Sequence, residues 1–278
     1  MLRIIWHRFV RHRLAVFGLI GTVIICLIAI LAPYVSPYSY RQQNLPHRLE
    51  SFSSSHWLGT DSFGRDVFSR LLWGARVSLS ISLGAVSISF LVGLAIGTLS
   101  GFYGGFWDWV LMRFTDMFLC VPALFVIMIL VAVFGSSYYM TIAVIAAVYW
   151  PATARLVRAE FLRLRAQDFL AAARAVGVGD GRLILVHLLP NAAAPLIVQI
   201  TLQIAAAIVL ESGLSYLGLG AQPPTPSWGN ILADGHAWLR TAPWIATVSG
   251  VAIWVSVLCL NFLGDGLRDS LDPRLSRS

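Results

Sequence analysis

The stretch QDFLAAARAVGVGDGRLILVHLLPN, Gln167–Asn191, decides how this chain is interpreted, because it is polar and lies between long apolar segments. Its alanine run favours a helix from near Asp168 to Val176, and Gly177 is placed to end that helix in a left-handed conformation. A helix lying on a membrane would bury bulky Leu, Phe or Trp side chains, whereas an alanine face beside Arg174 is thin enough to enter a protein groove. The stretch therefore predicts a short helix that docks to another protein.

The second half of the stretch predicts a second surface helix. Gly179 and Asp180 favour a turn, and Asp180 is placed to cap a helix that begins at Gly181 or Arg182. Pro190 then marks the start of the next apolar segment.

Composition identifies the class of protein. The 278 residues are 58% hydrophobic and only 12% charged, with a mean hydropathy of +0.76, so we expect an integral membrane protein. All 20 basic residues are arginine. Without lysine the chain cannot build a Walker A loop or a Schiff base, and it has no lysine-rich patch for nucleic acid. If ATP drives this protein, another chain hydrolyses it.

Apolar periodicity predicts an all-α membrane protein with six transmembrane helices. The first segment is too long for a signal peptide and is interpreted as an anchor. The six segments are 14–32, 77–99, 117–134, 139–155, 195–213 and 244–263.

Arginine placement predicts the orientation, because cytoplasmic loops retain basic residues. With the N-terminus inside, fourteen arginines fall in inner segments and six in outer loops. Both termini and the Gln167–Asn191 stretch are then cytoplasmic.

Several local patterns carry further expectations. Thr60 or Asp61 is placed to cap a helix before the second span, and Ser227 to cap one starting at Trp228. Asp116 and Arg113 have the i, i+3 spacing of an ion pair.

In the second span the small residues repeat every four positions, which favours close helix packing over a translocation path; they are Ala85, Ser89, Gly93, Gly97 and Gly101. Cys26, Cys120 and Cys259 fall in apolar segments, so we expect buried thiols.

The opening stretch resembles the EAA loop of ABC importer permeases, whose motif is roughly Glu-Ala-Ala, then Gly, then a hydrophobic residue and Leu-Pro. The chain departs from the motif at Ala171, where the family has Glu, and Asp168 lies one turn earlier. The resemblance implies that this loop binds the ATPase; the coupling residues carried over are Ala171, Ala172, Ala173, Arg174, Gly177, Leu188 and Pro190.

Three other stretches narrow the resemblance to the dipeptide, oligopeptide and nickel branch of these permeases: HWLGTDSFGRDVFSRLLWGARVSL (His56–Leu79), SYLGLGAQPPTPSWGNIL (Ser215–Leu232) and NFLGDGLRDSLDPR (Asn261–Arg274). The resemblance implies a type I ABC importer permease fold in the bacterial inner membrane. Its implied divisions are an N-terminal anchor and outer segment (1–72), a five-span core (73–265) and a cytoplasmic tail (266–278).

The family would pair the chain with a second, similar permease, two cytoplasmic ATPases and an extracytoplasmic substrate-binding protein. No cofactor or metal and no nucleic acid is implied. Peptide, glutathione and nickel importers of the branch share these motifs.

Glu211 is the acidic residue placed well inside an apolar segment, which makes it a candidate for the substrate path. The alternative class, an intramembrane hydrolase, would need facing catalytic groups within the spans. The sequence has neither His-Glu-x-x-His nor Gly-x-Ser-x-Gly. A third alternative, a self-gated channel, would need no helix that docks to another protein, so it does not explain the Gln167–Asn191 stretch.

Overall fold

The chain folds into a bundle of long helices. The computed structural model describes residues 2–271, and all regular elements in that range are helical; residues 272–278, to which the predicted tail 266–278 extends, lie outside the described residues. The helices are α1 (Leu2–Arg11), α2 (Arg13–Val35), α3 (Val67–Tyr103), α4 (Gly105–Cys120), α5 (Ala123–Phe134), α6 (Tyr138–Arg165), α7 (Asp168–Ala175), α8 (Asp180–Arg182), α9 (Leu189–Tyr216), α10 (Trp228–His236) and α11 (Pro243–Leu271).

Five helical segments are long and apolar enough to cross a membrane: α2, α3, α6, the run from α8 through α9, and α11. A sixth candidate span is a bent pair of helices, because α4 and α5 meet at 87°. The apolar segment predicted over 117–134 is therefore divided between two helices, one ending at Cys120 and the other beginning at Ala123. Pro122 has no N–H and disfavours a helical conformation at Val121, which is extended (φ −94°, ψ 125°), so one helix ends there and another begins.

The small-residue row on α3 lies against α6. A methyl group added at Gly97 would lie 2.5 Å from the carbonyl oxygen of Ala154 and 2.6 Å from Cβ of Val157. One added at Gly101 would lie 2.8 Å from Cβ of Phe161. The backbones of α3 and α6 thus approach as closely as glycine permits. The small residues of α3 pack the two helices together, as their spacing predicts.

The helix that leads into the second span begins later than the sequence predicts, at Val67. Asp66, not Thr60 or Asp61, caps α3 by accepting a hydrogen bond from the Ser69 N–H at 2.7 Å. Asp61 is unavailable to a helix because its carboxylate accepts from the N–H groups of Phe63 and Arg65. The cap predicted for α10 is confirmed: Ser227 and Asn230 exchange hydrogen bonds in a capping box.

A charge cluster holds the segment that leads into α3 against α10. Asp61 contacts the guanidinium groups of Arg65 and Arg70, all three side chains being buried. Asp234 of α10 contacts the same two arginines at 3.3 and 2.9 Å. Two carboxylates match two guanidiniums, so the buried charges are compensated.

Two further expectations are corrected at α4. Asp116 pairs with Arg155 of α6 and not with Arg113, because α4 packs along α6. Cys120 is exposed, whereas Cys259 is buried and Cys26 is partly buried. The bend leaves the last residue of α4 at the surface, where an apolar neighbourhood in sequence does not produce burial.

We expect Gly97→Ala to destabilise the chain by about 1–3 kcal/mol, because the added methyl overpacks the α3–α6 contact. Thermal unfolding of the purified protein in detergent measures the effect. Gly84→Ala is the matched control: its methyl would meet Ile142 at 3.4 Å, an ordinary contact, so stability should be unchanged or slightly raised. Equal unfolding temperatures for the two variants would contradict the packing described here.

Candidate coupling surface

The short helix α7 is anchored to the bundle by one face. Leu170 is fully buried in a cluster that includes Phe161 and Leu164 from α6 and Leu183 and Leu188 from the segment after α7. Ala173, one turn later, packs against the same cluster and is half-buried. The orientation of α7 is therefore set by apolar packing within this chain.

The opposite face of α7 is exposed and thin. Asp168, Ala171, Ala172 and Ala175 are all exposed, and their i, i+3, i+4 and i+7 spacing places them on one side of the helix. Three of the four carry only a methyl group. A neighbouring surface could therefore approach the α7 backbone closely along this side.

The carboxyl end of α7 has the left-handed glycine that the sequence predicts. Gly177 has φ +83°. Its N–H donates to the carbonyl of Arg174 at 2.9 Å, and the N–H of Val178 donates to that of Ala173 at 3.2 Å, which together form a Schellman motif. The motif fixes the direction in which the chain leaves α7.

Arg174 connects α7 to the second span. Its guanidinium carbon lies 5.6 Å from the ring centre of Phe102, which is buried near the carboxyl end of α3. This cation–π contact adds a third attachment for α7, beside the apolar anchor and the glycine turn.

The segment after the turn differs from the prediction. Gly179, not Asp180, is the N-cap, and the helix that starts at Asp180 runs on through a π-helical turn (Leu183–Leu188) into α9. The predicted separate surface helix is thus the first part of a 37-residue helix, Asp180–Tyr216. An N-cap needs an extended backbone, and here it is Gly179 that adopts one.

The remaining residues carried over from the resemblance have different surroundings. Leu188 is fully buried in the cluster around Leu170, so it faces this chain and supports α7 from beneath. Pro190 is exposed in the first turn of α9, where its missing N–H is tolerated.

Glu211 lies in α9 but lines no open surface in this conformation. It is 0% exposed, and its carboxylate accepts a hydrogen bond from the Ser215 hydroxyl at 2.7 Å. The hydroxyls of Ser78 on α3 and Ser227 at the start of α10 also hydrogen-bond to it. Glu211 therefore joins three helices through hydroxyl groups.

Sequence reasoning missed the residues that hold α7 in place. Leu170 is the bulky residue directly before the alanine run, a signal for the buried side of the helix. The Arg174–Phe102 contact joins positions far apart in sequence, so no local sequence pattern predicts it. Val176, 86% exposed, and Leu185, 66% exposed, add apolar surface beside the alanine face.

Comparison with known proteins gives the family. Residues 93–277 match the family described as "Binding-protein-dependent transport system inner membrane component", and residues 1–51 match the "N-terminal TM domain of oligopeptide transport permease C". A dipeptide transport system permease protein of Alkalihalophilus pseudofirmus is 42% identical, with 95% of this chain and 87% of that protein covered. A di/tripeptide transport system permease protein of Pseudomonas aeruginosa is 40% identical over 98% of this chain and 92% of its own length.

A glutathione transport system permease protein of Pectobacterium atrosepticum is 38% identical, with 97% of this chain and 90% of that protein covered. The fold is similar to that of a solved chain of the inward-facing MetNI methionine ABC transporter, with a TM-score of 0.60 at 17% identity. The match covers 74% of this chain and 98% of the solved one. The chain therefore belongs to the binding-protein-dependent transport system inner membrane components, the multi-pass permease subunits of ABC importers.

Proposed function

We propose that this permease imports dipeptides or short oligopeptides by alternating access. The relatives named for dipeptide and di/tripeptide transport, at 42% and 40% identity over nearly the whole chain, support this substrate class. Glutathione is the second candidate because a glutathione permease is 38% identical. Both candidates are small peptides that a binding protein would deliver from outside.

The exposed alanine face of α7 is the observation that carries the coupling mechanism. Asp168, Ala171, Ala172 and Ala175 form a surface without bulk on a helix whose other side is fixed by Leu170. We infer that this face enters a groove on a cytoplasmic ATPase. Asp168 takes the place of the acidic residue that is missing at Ala171, since it lies on the same exposed face.

Movement of the ATPases would reach the spans through the attachments of α7. The Arg174–Phe102 contact leads to α3, and the turn at Gly177 leads into the helix Asp180–Tyr216. When ATP closes the ATPase pair, α7 is carried along and the spans rock open to the outside. Hydrolysis takes place on the ATPases, because this chain has no lysine for a nucleotide site.

The bent pair α4–α5 supplies the surface for a second, similar permease. The 12 residues of α5 are apolar and too few to cross a bilayer. One side of α5 packs inward through Ile127 and Val131, whereas large side chains on its other side are exposed, including Phe125, Ile129 and Val133. We infer a heterodimer that covers this face, completed by two ATPases and an outer binding protein.

The orientation follows from the arginines, with both termini and α7 in the cytoplasm. In a chain whose three cysteines are replaced by alanine, a cysteine at the exposed Ser54 should react with an impermeant thiol reagent added to intact cells. One at the exposed Gly179 should react only after the cells are opened. The reverse labelling pattern would overturn the orientation.

Ala172→Trp should weaken ATPase binding, because it overfills the groove at a cost of about 1–3 kcal/mol, or about tenfold in affinity. Co-purification of the ATPases with the permease pair measures this. Ala237→Trp is the control, since it adds the same side chain at an exposed helix end on the outer side. Ala173→Trp is unsuitable because Ala173 packs inside this chain. Full ATPase retention and uptake by Ala172→Trp would refute the assigned docking face.

Gly177→Val should uncouple transport, because a β-branched residue at φ +83° strains the turn by about 1–2 kcal/mol and redirects α7. Gly179→Val is a close control: its φ is −68° and an added Cβ meets nothing within 4 Å at either position. Substrate-stimulated ATPase activity of the reconstituted transporter distinguishes the two variants. Identical activities would mean that the left-handed turn is not required for coupling.

A further inference from the structure

A strip of two aromatic rings flanked by two arginines lies beside the carboxyl end of α2 and the first turns of α3. The rings of Tyr40 and Trp73 are 4.9 Å apart between centroids. The guanidinium carbon of Arg41 lies 5.3 Å from the Tyr40 ring centre, and that of Arg76 lies 5.7 Å from the Trp73 ring centre. The strip Arg41–Tyr40–Trp73–Arg76 therefore has a cation at each end.

The two cations of the strip are exposed and have no matching carboxylate. Within residues 2–271, neither Arg41 nor Arg76 takes part in a salt bridge, although the nearby Arg65 and Arg70 are matched by two aspartates. The strip thus carries an uncompensated positive charge, which attracts an anion.

The strip lies at the level of lipid headgroups. Arg76 directly precedes the apolar segment 77–99, and Trp73 lies one turn before it. Tyrosine and tryptophan rings concentrate at membrane–water interfaces. A guanidinium group binds phosphate oxygens well, because its donors match the geometry of the anion.

An apolar cavity lies deeper along the same face of α3. Its volume is about 170 Å³, and Leu79 and Leu83 of α3 and Ile25 and Cys26 of α2 contribute to its lining. Leu79 and Leu83 follow Arg76 at i+3 and i+7, so they share its side of the helix, and Leu83 lies about 10 Å deeper. A headgroup-level cationic strip thus stands above an apolar recess.

We propose that this surface binds one anionic phospholipid. The phosphodiester lies between Arg41 and Arg76 at the aromatic rings, and part of an acyl chain occupies the recess beside Leu83. The uncompensated charge selects a lipid with net negative charge over a zwitterionic one. The recess selects a lipid over free phosphate, which has no apolar part to bury.

The test uses the intact transporter, purified with its partner subunits, depleted of lipid and exposed to mixed phosphatidylglycerol and phosphatidylcholine. Native mass spectrometry counts the retained lipids. Arg41→Gln and Arg76→Gln should each lower phosphatidylglycerol retention about fivefold. Arg48→Gln removes an exposed arginine of the same outer segment but outside the strip, so it should retain phosphatidylglycerol as the parent does.

A second pair of variants tests the recess. Cys26→Phe fills it and should lower retention of phosphatidylglycerol, whereas Val23→Phe adds a ring on an exposed side of α2 and should not. Excess inorganic phosphate should leave the bound lipid in place.

Three results would overturn the proposal. Unchanged phosphatidylglycerol retention in both strip variants would remove the headgroup site, and displacement by phosphate would make it a site for a soluble anion. If a strip variant loses a partner subunit but retains the lipid, the strip contacts a protein and not a lipid.

Discussion

The close approach of α3 and α6 is the constraint on which the rest of the structure depends. Glycines at positions 93, 97 and 101 let the two backbones meet, and the contact continues to Phe161 near the carboxyl end of α6. Phe161 in turn belongs to the cluster that buries Leu170. The position of α7 therefore follows from helix packing inside the membrane, where small residues substitute for the hydrophobic driving force available in water.

The helix α7 is held at three points and free on one side. Leu170 fixes its depth, Arg174 ties it to Phe102, and the turn at Gly177 sets how the chain continues. The exposed side carries almost no side-chain volume. Rigid attachment matters because a force applied to a loosely tethered helix would be absorbed locally, whereas one applied to α7 reaches two long helices.

Polar groups in this apolar chain are satisfied in different ways. Arg65 and Arg70 are buried with two aspartates, and Arg158 donates to Asp108 at 2.7 Å near the inner end of the bundle. Glu211 is surrounded by serine hydroxyls. The ion pairs avoid the cost of an unpaired buried charge, and the serine hydroxyls satisfy the acceptor oxygens of Glu211. Arg41 and Arg76 depart from this rule, and their position at the headgroup level explains how an unmatched charge is tolerated there.

The sequence by itself determined the class of protein, the positions of five long apolar helices, the cap at Ser227 and the left-handed glycine at position 177. These features depend on composition, on apolar segment length and on backbone preferences, all of which are local. Tertiary structure alone decided that α4 and α5 meet at 87°, that Asp116 pairs with Arg155, and that Ala173 and Leu188 face inward while Ala172 faces out. The alanines of α7 are chemically identical, so only the cluster around Leu170 distinguishes them. Side-chain burial depends on neighbours that are distant in sequence, so the local sequence does not determine it.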